Sequence, residues 1–306
     1  MENAMAELKK VKASMMNAIH DLPLLVARDE GFFRDEGLDV DILVTPGSGQ
    51  HNSDDRALKD DIFKRGLEAT YDQGQCDQFR MCEWGIMKRA VETIQQKDLR
   101  PAKIVAIGSA MSSFAIVVDP RSGIYEPEQL KNVPISVSRY NGSHFTMLKM
   151  MEGFIKRDEI KIANHGTHRQ RMEAVMNGQA KAASLQEPWI SVAEAKGARV
   201  LIESHSTRSE AAGDEMDGPT LAKMFRAEAH AAEAIQKNPE KYAHYLLDEA
   251  GGMIGLRDLK LSRILNAPPT PYTRERFDDN YNWTLGWGLV PPGATYENTV
   301  DNRAWQ

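Results

Sequence analysis

Residues 135–151 read ISVSRYNGSHFTMLKMM. Ile135 and Val137 are β-type residues, Asn141 and Gly142 turn the chain, and Ser143 is placed to cap a helix running through Phe145, Leu148 and Met151. A glycine-bearing turn that feeds backbone N–H groups into a helix start suits an anion, because those N–H groups have no partner inside the helix. Ser143 and the N–H groups after it would grip an anionic oxygen, with Asn141 as a side-chain donor. Taken alone, the same residues also make a simple capped turn, so the rest of the chain has to decide between the two.

Working outward, strand and helix patterns alternate. An apolar stretch at 11–18 reads as the first strand, with Asn17 to Asp21 as a loop and LPLLVARDEGFF (22–33) as a helix. GLDVDILVTPG (37–47) is a strand in which Val40, Ile42 and Val44 alternate with Asp39 and Asp41 until Pro46 and Gly47 end it. Residues 52–70 are highly charged with helical spacing, a solvated helix or a long loop. YDQGQCDQFRMCEWG (71–85) precedes a helix that reaches about residue 96. AKIVAIGSA (102–110) and FAIVVDP (114–120) read as two strands. EIKIANHG (159–166), AASLQEPW (182–189) and ARVLIES (198–204) read as three more, with HRQRMEAVMNGQA (168–180) a helix. From Thr220 the chain is mostly helical. This alternation predicts an α/β architecture with mainly parallel sheets and a helical C-terminal part. In such sheets, ligand sites gather in the loops that follow strands.

Composition excludes several functions. With 306 residues the chain is long enough for two lobes with real cores. A net charge of −6 leaves no basic footprint for nucleic acid, and no apolar run approaches the ~20 residues of a membrane span. The N-terminal MENAMAELKKVKAS has no apolar leader segment. The protein is therefore expected in the cytoplasm if Met1 is the native start, and in the periplasm or on a lipid anchor if a leader was removed. Cys76 and Cys82 read as free, partly buried thiols rather than a metal or redox pair. His165 and His168 have a metal-compatible spacing but no third ligand nearby, so no metal and no cofactor are expected. Met147, Met150 and Met151 read as helix core, and Trp283 and Trp287 as packing residues.

Five segments, taken in order, resemble the solute-binding proteins of the sulfonate-binding and thiamine-pyrimidine-synthase-like family. They are LPLLVARDEGFFRDEGLDVDIL, GQCDQFRMCEWG, VPISVSRYNGSHF, AVMNGQAKAASLQEPW and AEAIQKNPEKYAHYLL. The resemblance covers about residues 12–250. It implies a type II periplasmic-binding-protein fold, in which two α/β lobes joined by two crossovers close on a small ligand. Lobe 1 would hold 1–115 plus 206–306, and lobe 2 would hold 116–205.

The resemblance also turns residues into site candidates. Tyr140, Asn141, Gly142, Ser143 and His144 would face the cleft. Asn17, His20 and Asp21 would lie in the first cleft loop, and Arg80, Glu83 and Trp84 in the second. Arg80 has the forked donor set that clamps a carboxylate or sulfonate, and Trp84 the face to stack on a ring. Glu187 either contacts the ligand or bridges the lobes, with bridging favoured.

Two functions follow from these candidates. The first is the binding component of an ABC-type importer for a small organic anion, with a permease as partner. The second is a cytoplasmic lyase or decarboxylase on the same fold, acting on an aromatic or heterocyclic acid. There His20 would transfer the proton, with Asp21 or Glu83 setting its charge. The fold's desulfinase carries a nucleophilic cysteine in the first loop, where this chain has NAIHD (17–21) and no cysteine.

Overall fold

The structure, a computed structural model, describes residues 7–44 and 66–306. The charged stretch at 52–65 and the Pro46–Gly47 turn lie outside the described residues, and the helix Gly66–Asp72 follows them. The strands are β1 (Lys9–Met15), β2 (Leu38–Val44), β3 (Gln78–Cys82), β4 (Lys103–Val118), β5 (Pro134–Ser136), β6 (Lys161–Ala163), β7 (Ala182–Gln186), β8 (Arg199–Ala212) and β9 (Leu265–Asn266). They form one sheet in the order β2-β1-β3-β8-β4-β7-β5-β6, with β9 beside β4. The sheet is mixed. Its two ends are parallel, where β1 pairs with β2 and β3, and β5 pairs with β6 and β7. Its centre is antiparallel, where β3, β4 and β7 meet β8 or β4.

The centre holds the main departure from the sequence reading. Residues 102–110 and 114–120 are one 16-residue strand, not two. Met111, Ser112 and Ser113 interrupt the apolar pattern but stay in the ladder, opposite Thr207, Ser206 and His205 of β8. β8 is likewise longer than expected, at 14 residues. The long pair is bulged between Ile104 and Ala106, between Ile107 and Met111, and between Ile116 and Val117. Bulges add twist and bend to a ladder, and this pair joins the two parallel ends of the sheet, β8 meeting β3 and β4 meeting β7.

Alternation explains the edge strands. In β2, Leu38 and Val40 are buried while Asp39 and Asp41 face out. In the first helix, Ala18–Asp29, Leu22, Leu24 and Val26 are fully buried in the main core. This helix begins earlier than expected, so Ala18, Ile19, His20 and Asp21 belong to its first turn rather than to a loop. Asn17 caps it, its side chain accepting from the His20 N–H at 3.2 Å. Pro23 has no N–H to return to residue 19, and Asp21 leaves helical geometry (φ −125°, ψ 15°) just before it. The kink sets the first turn apart from the rest of the helix.

Other bounds shift by a few residues. The region around residues 78–82 is strand β3, not loop, and all five of its residues are buried. The helix Gly142–Met151 is capped by Asn141, not Ser143, through the Ser143 N–H at 3.0 Å. Met147, Met150 and Met151 are core, as their spacing implies. Trp283 sits in the helix Arg274–Gly286 and Trp287 follows it, and both indole N–H groups donate to Glu152. No helix among the described residues is long and apolar enough to cross a membrane.

Candidate functional site

A cavity of about 630 Å³ opens at the ends of the strands. Met15 closes β1, Cys82 closes β3, Gln186 closes β7, and Ser138 lies two residues past β5; all four line it. This is the crevice outside the carboxyl ends of an α/β sheet. The first turn of the helix Ala18–Asp29 and the turn at 141–143 face the same space.

Two arginines dominate its chemistry. Arg171 projects from the helix His168–Met176, which a Thr167–Gln170 capping box starts. Its Nη1 donates to the Ser143 hydroxyl at 3.1 Å, and its Nε has no partner. Burial, with no compensating carboxylate, pushes its pKa down to about 9. Arg208 of β8 donates to His20 Nδ1 at 3.0 Å and to the Arg80 carbonyl at 3.0 Å, and its Nε is also unpartnered. Burial lowers its pKa as well. Neither guanidinium ion-pairs with a carboxylate among the described residues. A buried cation without a partner is costly, and a fold retains one where something else supplies the counter-charge.

His20 completes this group. A guanidinium can only donate, so His20 Nδ1 is the acceptor and the proton sits on Nε2. Burial first, then the Arg208 charge, hold the imidazole well below its ordinary pKa, so it is neutral at pH 7. Its buried Nε2–H has no partner, nor does the Ser138 hydroxyl, nor either amide atom of Gln186. The cavity is thus ringed by unspent buried polar groups. Met15, Leu25, Val44, Phe114 and Trp189 give it an apolar stretch of wall as well.

Gly142 has no room for a side chain. A Cβ there would lie 2.9 Å from Phe114 Cζ and 3.4 Å from Cys82 Cβ. The turn therefore packs directly on β3 and β4.

The expected residues divide sharply. Asn17, His20, Asn141, Gly142 and Ser143 line the cavity. The others do not. Arg80 is no clamp; it is buried among carboxylates, with Nε 3.0 Å from Glu210, Nη2 3.1 Å from Glu228 and Nη1 3.7 Å from Asp21. Trp84 packs against Phe145 and Trp283. Tyr140 takes a positive φ of 57° and meets the His144 ring edge-on, while His144 Nδ1 accepts from the Tyr140 N–H. Glu187 is buried against Ser191 and Arg263, the latter at 3.0 Å, which ties it to the C-terminal part.

The turn also differs from a simple anion nest. Its N–H groups at Ser143 and His144 are already taken by Asn141. The charge that reaches Ser143 comes from Arg171. Nor is the acid–base set assembled. Asp21 accepts from the Met16 and Asn17 N–H groups and faces Arg80, while Glu83 is occupied by Arg276, Thr207 and Asn280. Neither is hydrogen-bonded to His20. Both cysteines are free and buried, and Cys82 reaches the cavity wall. His165 is bonded to Ser136 at 2.9 Å, whereas His168 is on the cavity wall. Among the described residues no three His, Cys, Asp or Glu side chains group as metal ligands.

Sequence reasoning missed Arg171, Arg208, Phe114, Gln186 and Glu249. Arg171 was legible only as one of three basic residues in HRQR, and Arg208 sits in a stretch with no motif.

No protein-family model matches the sequence, and no curated protein matches it. Solved structures do. The alkanesulfonate-binding protein SsuA from Xanthomonas axonopodis pv. citri, bound to MOPS, superimposes with a TM-score of 0.68 at 13% identity, over 96% of this chain and 98% of that one. The periplasmic nitrate-binding protein NrtA from Synechocystis PCC 6803 gives 0.70 at 13% identity, over 98% and 88%. The desulfurization enzyme DSZB gives 0.61 at 14% identity, over 95% and 96%. At these identities the likeness is one of fold, and it bears out the expected architecture: the chain has the two-lobed α/β fold of the periplasmic binding proteins.

Proposed function

We propose that this protein binds a small organic anion, a carboxylate or sulfonate on an apolar body, as the solute-binding component of an ABC-type importer. The observation that carries the proposal is the pair of buried guanidiniums, Arg171 and Arg208, that line one cavity without a carboxylate partner. An anionic head group would take both charges and the His20 Nε2–H, while the apolar wall takes the body. The cavity volume favours an organic ligand over a bare inorganic ion, which would leave most of the space unfilled. An importer partner rests on the fold shared with SsuA and NrtA. Such a component works outside the cytoplasmic membrane, so the proposal carries a periplasmic location with it.

Lobe 1 would comprise 1–115 with 206–306 and lobe 2 116–205, with β4 and β8 as the two crossovers and ligand binding favouring the closed arrangement. Calorimetric titration with matched acids and alcohols tests the reading. Benzenesulfonate and benzoate against benzyl alcohol, and the aliphatic equivalents, should show binding confined to the anions. Equal binding of acids and alcohols would overturn it.

A further inference from the structure

The same cavity carries an acid that the anion reading does not use. Glu249 ends the helix His244–Glu249 and lines the wall beside Asp248. One carboxylate oxygen accepts from the Ala18 N–H at 2.9 Å, and the Trp189 side chain donates to the group as well. No cation pairs with it among the described residues. Burial, with a smaller push from Asp21, raises its pKa to about 7. The other basic residues on the wall are already committed: Arg28 to Asp29 at 2.6 Å and Arg169 to Glu173 at 2.9 Å.

Sorting the charged lining groups by partner leaves a specific remainder. Within one cavity Arg171 and Arg208 form no ion pair, Arg208 feeling only the longer-range charges of Asp21 and Glu210, while Glu249, and beside it the exposed Asp248, has no cation. They do not pair with each other. A fold that only needed to neutralise these charges would bring them together; this one holds them apart around an open space.

We propose that the ligand is zwitterionic, with its anionic group on Arg171 and Arg208 and a protonated amine on Glu249. This rests on the anion reading above and adds the second pole. The Glu249 carboxylate accepts from the ammonium while keeping its Ala18 and Trp189 donors, so the ligand cation becomes its one charged partner. Bound in this way, the ligand supplies a counter-charge to Arg171, Arg208 and Glu249.

The test uses matched probes that differ only in the amine: aminopropanesulfonate against propanesulfonate, and aminobutanoate against butanoate, each titrated into the whole protein by calorimetry. In wild type the amine-bearing member of a pair should bind about tenfold tighter or better, one such ion pair's worth. In Glu249→Gln, which keeps an acceptor for Ala18, that preference should vanish. Equal affinities for both members in wild type would overturn the zwitterion and leave the anion reading standing. A preference that survives Glu249→Gln would remove Glu249 from the role. If none of the four probes binds, the anion reading fails, and this inference fails with it.

Discussion

Nη1 of Arg171 lies 3.1 Å from the Ser143 hydroxyl, and that is the only hydrogen bond the guanidinium makes among the described residues. The hydroxyl is bonded on all sides, since it also accepts from the Ser138 N–H at 3.0 Å and donates to Asn141 Oδ1 at 2.7 Å. The contact orients Arg171 without neutralising it. Replacing Arg171 with Met should therefore have opposite effects on folding and binding. The melting temperature of the unliganded protein should rise or hold, because an unpaired buried charge is removed. Affinity for the anion should fall by about 30-fold or more, the equivalent of ~2 kcal/mol for a lost charged hydrogen bond. Thermal melts and calorimetry on one preparation read both. A lowered melting temperature with unchanged affinity would make Arg171 a structural residue.

Gly142→Ala should be disruptive although glycine-to-alanine usually favours a helix. Its φ is not in the left-handed region, so the obstacle is space: Phe114 Cζ at 2.9 Å and Cys82 Cβ at 3.4 Å. Overpacking of this kind costs about 1–3 kcal/mol. Chemical denaturation should show that loss, and the double variant Gly142→Ala with Phe114→Leu should recover part of it. An unaffected single variant would mean that the turn and β4 separate freely.

His20 should stay neutral through the physiological range. Its folded pKa is depressed, so as pH falls below about 6.5 the unfolded chain takes a proton that the folded chain refuses. His20 then subtracts stability toward acid. The stability of His20→Asn relative to wild type should improve as pH drops from 7 to 5. Nitrogen-resolved NMR of the imidazole should show the Nε2–H form throughout. A ring titrating near 6.5 would contradict the burial argument and restore His20 as a proton-transfer candidate.

A clasp joins the parts proposed as separate lobes. Glu152 accepts from Trp283 at 2.8 Å and from Trp287 at 3.0 Å, while Lys149 and Arg157 lie 4.6 and 4.5 Å over the two indoles. Glu152→Ala should leave both indole N–H groups unpaired and favour the open arrangement. Small-angle scattering of the unliganded variant should show a larger radius of gyration than wild type, with ligand restoring compactness. Identical profiles would show that the clasp does not restrain closure.

The fold was legible because its signals are local and repeated. Alternation in β2, the apolar face of Ala18–Asp29 and the Asn141–Gly142 turn each fix an element within a few residues. The 16-residue β4 was not legible, since the serines at 112 and 113 look like a loop until β8 is laid beside them. The cavity wall was legible at the turn residues Asn141, Gly142 and Ser143, and at Asn17 and His20, which the family resemblance placed in the first cleft loop. Arg80 and Arg208 lie on neighbouring strands and carry the same side chain. Which of the two is spent on carboxylates depends on Glu210 and Glu228, brought in from 130 and 148 residues away. No local pattern encodes that, so the sequence singles out Arg80, whose side chain the fold spends on carboxylates.

Arg171 and Arg208 should together receive an anion. A crystal structure grown with bromobenzenesulfonate tests it most directly, because anomalous scattering locates the bromine and fixes the direction of the ring. The sulfonate oxygens should lie within hydrogen-bond distance of both guanidiniums and of His20 Nε2, with the ring against the apolar wall. A sulfonate seated elsewhere in the cavity, with the two guanidiniums still unpaired, would contradict it.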